Sequence, residues 1–105
     1  MRQYGFSRTM IGVVMATYLI GYDLNKSGQN YPSLIKAIES YGTYWHCLDS
    51  TWLIKANGPA IDIVNNLNQF IDSNDALFVT EIAQRPDAAW MGLDNEGSSW
   101  LADTL

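Results

Sequence analysis

Residues 18–23 read YLIGYD, an apolar, β-prone run that stops on a carboxylate. Leu, Ile and Tyr at that density fit a strand buried on both faces. The polar Asp23-Leu24-Asn25-Lys26-Ser27-Gly28 behind it is turn chemistry. A lone acid at the mouth of a central strand either caps that turn or begins an active site. The functional question rests largely on Asp23.

The remaining elements follow in a regular order. Asn30 is placed to cap a helix with Pro32 in its first turn. Leu34, Ile35, Ile38 and Tyr41 recur at helical spacing, and Gly42 stops the run. Residues 43–48 (TYWHCL) and 51–55 (TWLIK) are aromatic and β-branched, separated only by Asp49-Ser50. That is the pattern of a very tight hairpin. Asn57-Gly58-Pro59 opens a second helix with Ile61, Val64, Leu67 and Ile71 on its inner side, ended by Ser73-Asn74-Asp75. Residues 77–82 (LFVTEI) form a fourth strand and 88–93 (AAWMGL) a short fifth one. Ser98 or Ser99 then caps a last helix holding Trp100 and Leu101.

The order β-α-β-β-α-β is the split βαβ plan. The expected fold is therefore α+β and ferredoxin-like, with an extra C-terminal strand and a short helix. Its domain covers residues 15–105. Residues 1–14 read as an N-terminal extension that contributes little to the fold. In this plan both helices cover one face of an antiparallel sheet. Trp45, Trp52, Trp90 and the surplus Tyr residues would then crowd the other face, and dimerisation is the natural remedy. The fifth strand is the expected partner for another copy's edge.

Composition narrows the function classes. With 105 residues there is one core, and oligomerisation is a common supplement at this size. Six Lys and Arg against a net charge of −5 disfavour a duplex-gripping basic stripe. Cys47 is the single cysteine, so there is no internal disulfide framework, and a reducing, cytoplasmic setting is expected. No apolar run approaches the length of a membrane span. Neither GxGxxG nor a P-loop occurs.

Four segments carry a family resemblance: YLIGYDL at 18–24, IESYGTYW at 38–45, LDSTWLIKA at 48–56 and IDSNDALFVTEI at 71–82. In this order the chain resembles the small CRISPR-associated ferredoxin-like nucleases of spacer acquisition (the Cas-two family) and their VapD-type toxin relatives. The stretches MATYLIGYDLNKSGQNYPSLIKAIESYG, WHCLDSTW and SNDALFV are also similar to short bacterial and phage proteins labelled SinR-like. The resemblance implies a homodimer in which the acid ending the first strand holds a divalent metal, one from each subunit. Asp23 occupies that position. The implied activity is Mg²⁺-dependent cleavage of RNA or DNA, with Asp23 as metal ligand and catalytic residue. The alternative is a catalytically inactive dimeric adaptor in a defence or mobile-element system, with a protein partner. Lys36 is the only cation between Tyr31 and Gly42, which fits the adaptor.

Each candidate residue also has a plain structural reading. Asp23 fits an Asx-type turn, accepting the amide hydrogens of Asn25 or Lys26. His46 is a candidate general base if its face looks toward Asp23 or Asp49, and otherwise a hydrogen-bonded member of an aromatic sheet. Tyr22 would be a secondary contributor. Cys47 has no sequence-adjacent cation to activate it and reads as a small core hydrophobe. Lys26, Lys36 and Lys55 are the candidate nucleic-acid contacts. The tryptophans read as a dimer core or as stacking platforms for single-stranded bases.

Overall fold

The computed structural model describes residues 15–25 and 31–105. Along the chain run β1 (Ala16–Asp23), α1 (Pro32–Glu39), β2 (Tyr44–Leu48), β3 (Thr51–Ala56) and α2 (Ala60–Leu67). A single 3-10 turn (Asn68–Phe70), β4 (Ala76–Ile82) and α3 (Asn95–Thr104) complete it. The strands form one sheet in the order β2-β3-β1-β4, with every neighbouring pair antiparallel. This is the ferredoxin-like βαββαβ arrangement with a short helix appended.

Strand alternation sorts the sheet into two faces. Tyr18 and Ile20 of β1 and Trp52, Ile54 and Ala56 of β3 point toward the helices. There they join Leu34 and Ile38 of α1 and Ile63 and Leu67 of α2 in one buried cluster. Leu77 and Val79 bring β4 into the same layer. Pro32 starts α1 at a position where a missing amide hydrogen costs nothing, with Tyr31 before it. The expected cap, Asn30, lies outside the described residues. Gly42 takes φ of 93° just past the helix, the left-handed stop expected of it.

Four sequence expectations need correction. Trp52 is only 1% exposed and belongs to the helix-side core, not to the open face. Thr51 and Lys55 share the parity opposite Trp52, so alternation in TWLIKA turns Trp52, Ile54 and Ala56 inward. In α2 the deeply buried residues are Ile63 and Leu67, while Ile61 and Val64 are only half-buried. Its α-helical part ends at Leu67, short of Ser73-Asn74-Asp75. Residues 88–93 form no strand. The chain turns at Arg85 (φ 53°) and Gly92 (φ 80°), and Trp90 Nε1 donates to Ser98 Oγ at 3.2 Å, so the segment leads back to α3. Finally, α3 is capped by Asp94, whose carboxylate accepts from Gly97 N at 2.7 Å, and not by Ser98 or Ser99.

The second sheet face is only partly covered. Helix α3 packs against β2, and its Leu101 is buried. A Cβ on Gly97 would stand 2.5 Å from Trp45 Cζ2, so the absent side chain is what lets the helix seat on that indole. Trp45 is thus used inside the chain. Its Nε1 is buried with no hydrogen-bond partner among the described residues, and nothing in the structure explains that.

Candidate functional site

The end of the sheet where β1 stops, β2 turns into β3 and β4 begins gathers most of the chemistry-bearing residues. The Asp49-Ser50 turn is as tight as its sequence implies, with Leu48 opposite Thr51. One residue, Cys47, is extra on β2 between His46 and Leu48, a β-bulge beside the turn. The backbone of β1 is clamped to this turn by Tyr22 N donating to Ser50 O at 3.0 Å.

On the helix side an aromatic network forms. His46 stacks on Trp52 with ring centroids 3.9 Å apart and planes 9° from parallel. Trp52 Nε1 donates to the Tyr22 hydroxyl at 3.1 Å, and Tyr22 donates in turn to the Asp49 carbonyl at 3.4 Å. His46 Nε2 lies 3.0 Å from that same carbonyl. A carbonyl only accepts, so Nε2 carries the hydrogen. His46 is thus a hydrogen-bonded member of an aromatic sheet, facing the Asp49 backbone. Its contact with Asp49 is through the main-chain carbonyl, not the carboxylate.

Asp23 lies elsewhere. Alternation puts it on the face opposite Tyr22, level with Ala76 of β4. Sequence reasoning offered Asn25 N as its turn partner, and here the structure differs. Asn25 N donates to Asp75 Oδ1 at 2.7 Å, and Asp72 N donates to Asp75 Oδ2 at 2.7 Å. Tyr31 adds its hydroxyl to Asp75 Oδ1 at 3.4 Å. Asp75 therefore does the capping work that the sequence assigned to Asp23. The carboxylate of Asp23 is exposed, and no hydrogen bond or ion pair engages it among the described residues. The other partner offered for that turn, Lys26, lies outside the described residues. A sequence signal for Asp75 existed in Ser73-Asn74-Asp75, but it read as a helix stop.

The candidate cations do not converge on Asp23. Lys26 is not described. Lys36 is exposed on α1, in the helical layer. Lys55 shares the open face with Asp23 but sits level with Thr17, six residues along β1, or roughly 20 Å at strand rise. His46 and Asp23 occupy opposite faces, so one chain does not bring them together. Cys47 is half-buried, and that burial pushes its thiol above the ordinary value, away from nucleophile behaviour. Among the described residues, no three His, Cys, Asp or Glu side chains are grouped to hold one metal ion. None of the described helices is long and apolar enough to cross a membrane. Compared with known proteins, the sequence matches no family model, and no solved structure matches it.

Proposed function

We propose that this chain is a CRISPR-associated-type, nuclease-like protein that works as a homodimer, with Asp23 of both copies forming a Mg²⁺-dependent phosphodiesterase centre for RNA or DNA. The observation that carries this reading is the idle carboxylate. Asp75 holds Asn25 N in the turn after β1, and the Asp23 carboxylate makes no contact of its own among the described residues.

The donor chemistry fits a hard divalent cation only when two copies contribute. Mg²⁺ takes oxygen ligands and keeps several waters, so one carboxylate per chain suffices. The chemistry such an ion supplies is water activation and charge stabilisation in an in-line displacement. Asp23 would orient it, and the uncovered sheet face would admit a backbone phosphate. His46 and Tyr22 would act through the shape of the Asp49-Ser50 turn beside the site.

A second reading, an inactive dimeric adaptor serving a protein partner, is favoured by the dispersal of Lys36 and Lys55 away from Asp23. Incubation with single- and double-stranded RNA and DNA across a Mg²⁺ series separates the two. The nuclease reading expects cleavage that chelation abolishes and Asp23→Asn removes. No cleavage by wild type supports the adaptor, and cleavage unchanged in Asp23→Asn takes Asp23 out of the mechanism.

A further inference from the structure

The helix-side column of β2 lies beyond the edge of the core. Alternation along the strand puts Tyr44 and His46 on the face that meets the helices, opposite Ile54 and Trp52 of β3. Ile54 and Trp52 are buried, but Tyr44 is 37% exposed and His46 is exposed as well. Neither ring belongs to the buried cluster beside it.

The exposed rings are nevertheless held in place. His46 lies parallel to the buried indole of Trp52, with centroids 3.9 Å apart and planes at 9°. Tyr44 leans on the same indole at 5.7 Å and 50°. Trp52 is anchored by its bond to the Tyr22 hydroxyl, and His46 by its bond to the Asp49 carbonyl. Trp52 covers one face of the imidazole, so the exposed side is a flat ring face whose orientation the fold has already fixed. A ligand that stacks there pays little to order it.

We propose that the outer face of His46, flanked by Tyr44, is a stacking site for an unpaired base of a single-stranded nucleic acid. The inference rests on the RNA or DNA substrate of the proposed function but not on its metal centre, since Asp23 is on the opposite face. Splayed-out bases stack on His and Tyr rings, and one base here adds a plane to the Trp52–His46 pair. In a duplex, neighbouring bases cover both faces of each base, so only an unpaired one fits. The scarcity of cations points the same way. With Lys36 and Lys55 dispersed and a net charge of −5, phosphate contacts contribute little and stacking carries the affinity. A protein segment is the weaker candidate, because the exposed surface is an imidazole and a phenol rather than an aliphatic patch.

His46 is the single histidine of the chain, so its imidazole protons read the site directly in proton NMR. The full chain is titrated with a short mixed-sequence single-stranded RNA, its DNA counterpart, the RNA duplex and adenosine monophosphate, all in chelator so that no metal-dependent cleavage begins. Both single strands should move those protons upfield, as a stacked ring does, and the duplex should not. In fluorescence anisotropy, His46→Ala should weaken single-strand binding by about 5- to 150-fold. Tyr44→Ala should weaken it less. His46→Phe keeps a ring on Trp52 without the bond to Asp49 and should bind nearly as well as wild type. Far-UV circular dichroism checks that each variant is folded. Equal binding by wild type and folded His46→Ala overturns the platform and leaves the nuclease reading to its own assay. Loss of binding in both His46→Ala and His46→Phe assigns the residue a structural role and overturns it too. So does a shift with the mononucleotide alone, a shift with the duplex as large as with single strands, or no shift at all, which leaves the rings to a protein partner. Ring-dependent binding by a wild type that cleaves nothing sustains the platform and removes the nuclease.

Discussion

The two faces of this sheet use the same residue types to different ends. Toward the helices, Tyr18, Ile20, Trp52 and Ile54 interlock with Leu34, Ile38, Ile63 and Leu67 and leave almost no surface. On the other face, Phe78 and Leu48 are exposed on either side of Gly21 and Thr51, while Thr17 and Leu53 are buried and α3 packs against β2. The first face is finished within one chain. The second mixes polar residues with apolar ones, and Phe78 and Leu48 are its exposed large side chains.

Truncation should expose this contrast most strongly. Ile54→Ala or Leu67→Ala on the helix side should cost about 2–5 kcal/mol in urea unfolding, by lost transfer energy and a residual cavity. Phe78→Ala should change the unfolding free energy of the monomer by less than about 0.5 kcal/mol. Comparable losses at both positions would erase the distinction between the faces.

The roofed corner should respond at an intermediate level. Gly97→Ala forces a methyl against Trp45, so α3 must shift or the indole must leave its place. A loss of about 1–3 kcal/mol is expected, with faster amide exchange confined to residues 94–105. The two acids at the sheet end should divide similarly. Asp75→Ala strands the amides of Asn25 and Asp72 and should cost about 1–3 kcal/mol. Asp23→Asn should leave monomer stability unchanged. Equal costs would mean that Asp23 has a structural task after all.

The smallest effect concerns Cys47. Burial raises its thiol, so the reactive thiolate is scarcer at any given pH than on an exposed cysteine. Alkylation at neutral pH should be slower than for a free thiol, and the rate-versus-pH curve should be displaced toward alkaline pH. Reaction at the rate of an unstructured peptide would contradict the half-buried position.

Element order was legible because periodicity changes cleanly between YLIGYD, the Leu34–Ile38 spacing and the TWLIK run, with Gly42 and Asp49-Ser50 marking the breaks. Facing was harder. In 51–56 Thr51 and Lys55 mark the parity opposite Trp52, so alternation pointed the indole inward while the count of aromatics suggested the open face. The α2 stripe is wide enough that its centre could be read as Val64 or Ile63. Residues 88–93 have strand composition, yet Gly92 in the left-handed region and the bond from Trp90 to Ser98 commit them to a connector. The site was legible as a neighbourhood, not as a set of contacts. Asp23 and Asp75 are far apart in sequence, and only strand pairing reveals that Asp75 reaches the turn first. The facing of Leu48 depends on a bulge that no local pattern announces.

The distance between residue 23 of one copy and residue 23 of the other bears most directly on the account. It can be read by dipolar electron spectroscopy on Asp23→Cys labelled in a Cys47→Ser background. With both acids at one hydrated ion and two label arms added, a narrow distribution at roughly 15–25 Å is expected. A distribution centred well beyond that range, or no coupling at concentrations where the protein is a dimer, would contradict the convergence of the two acids.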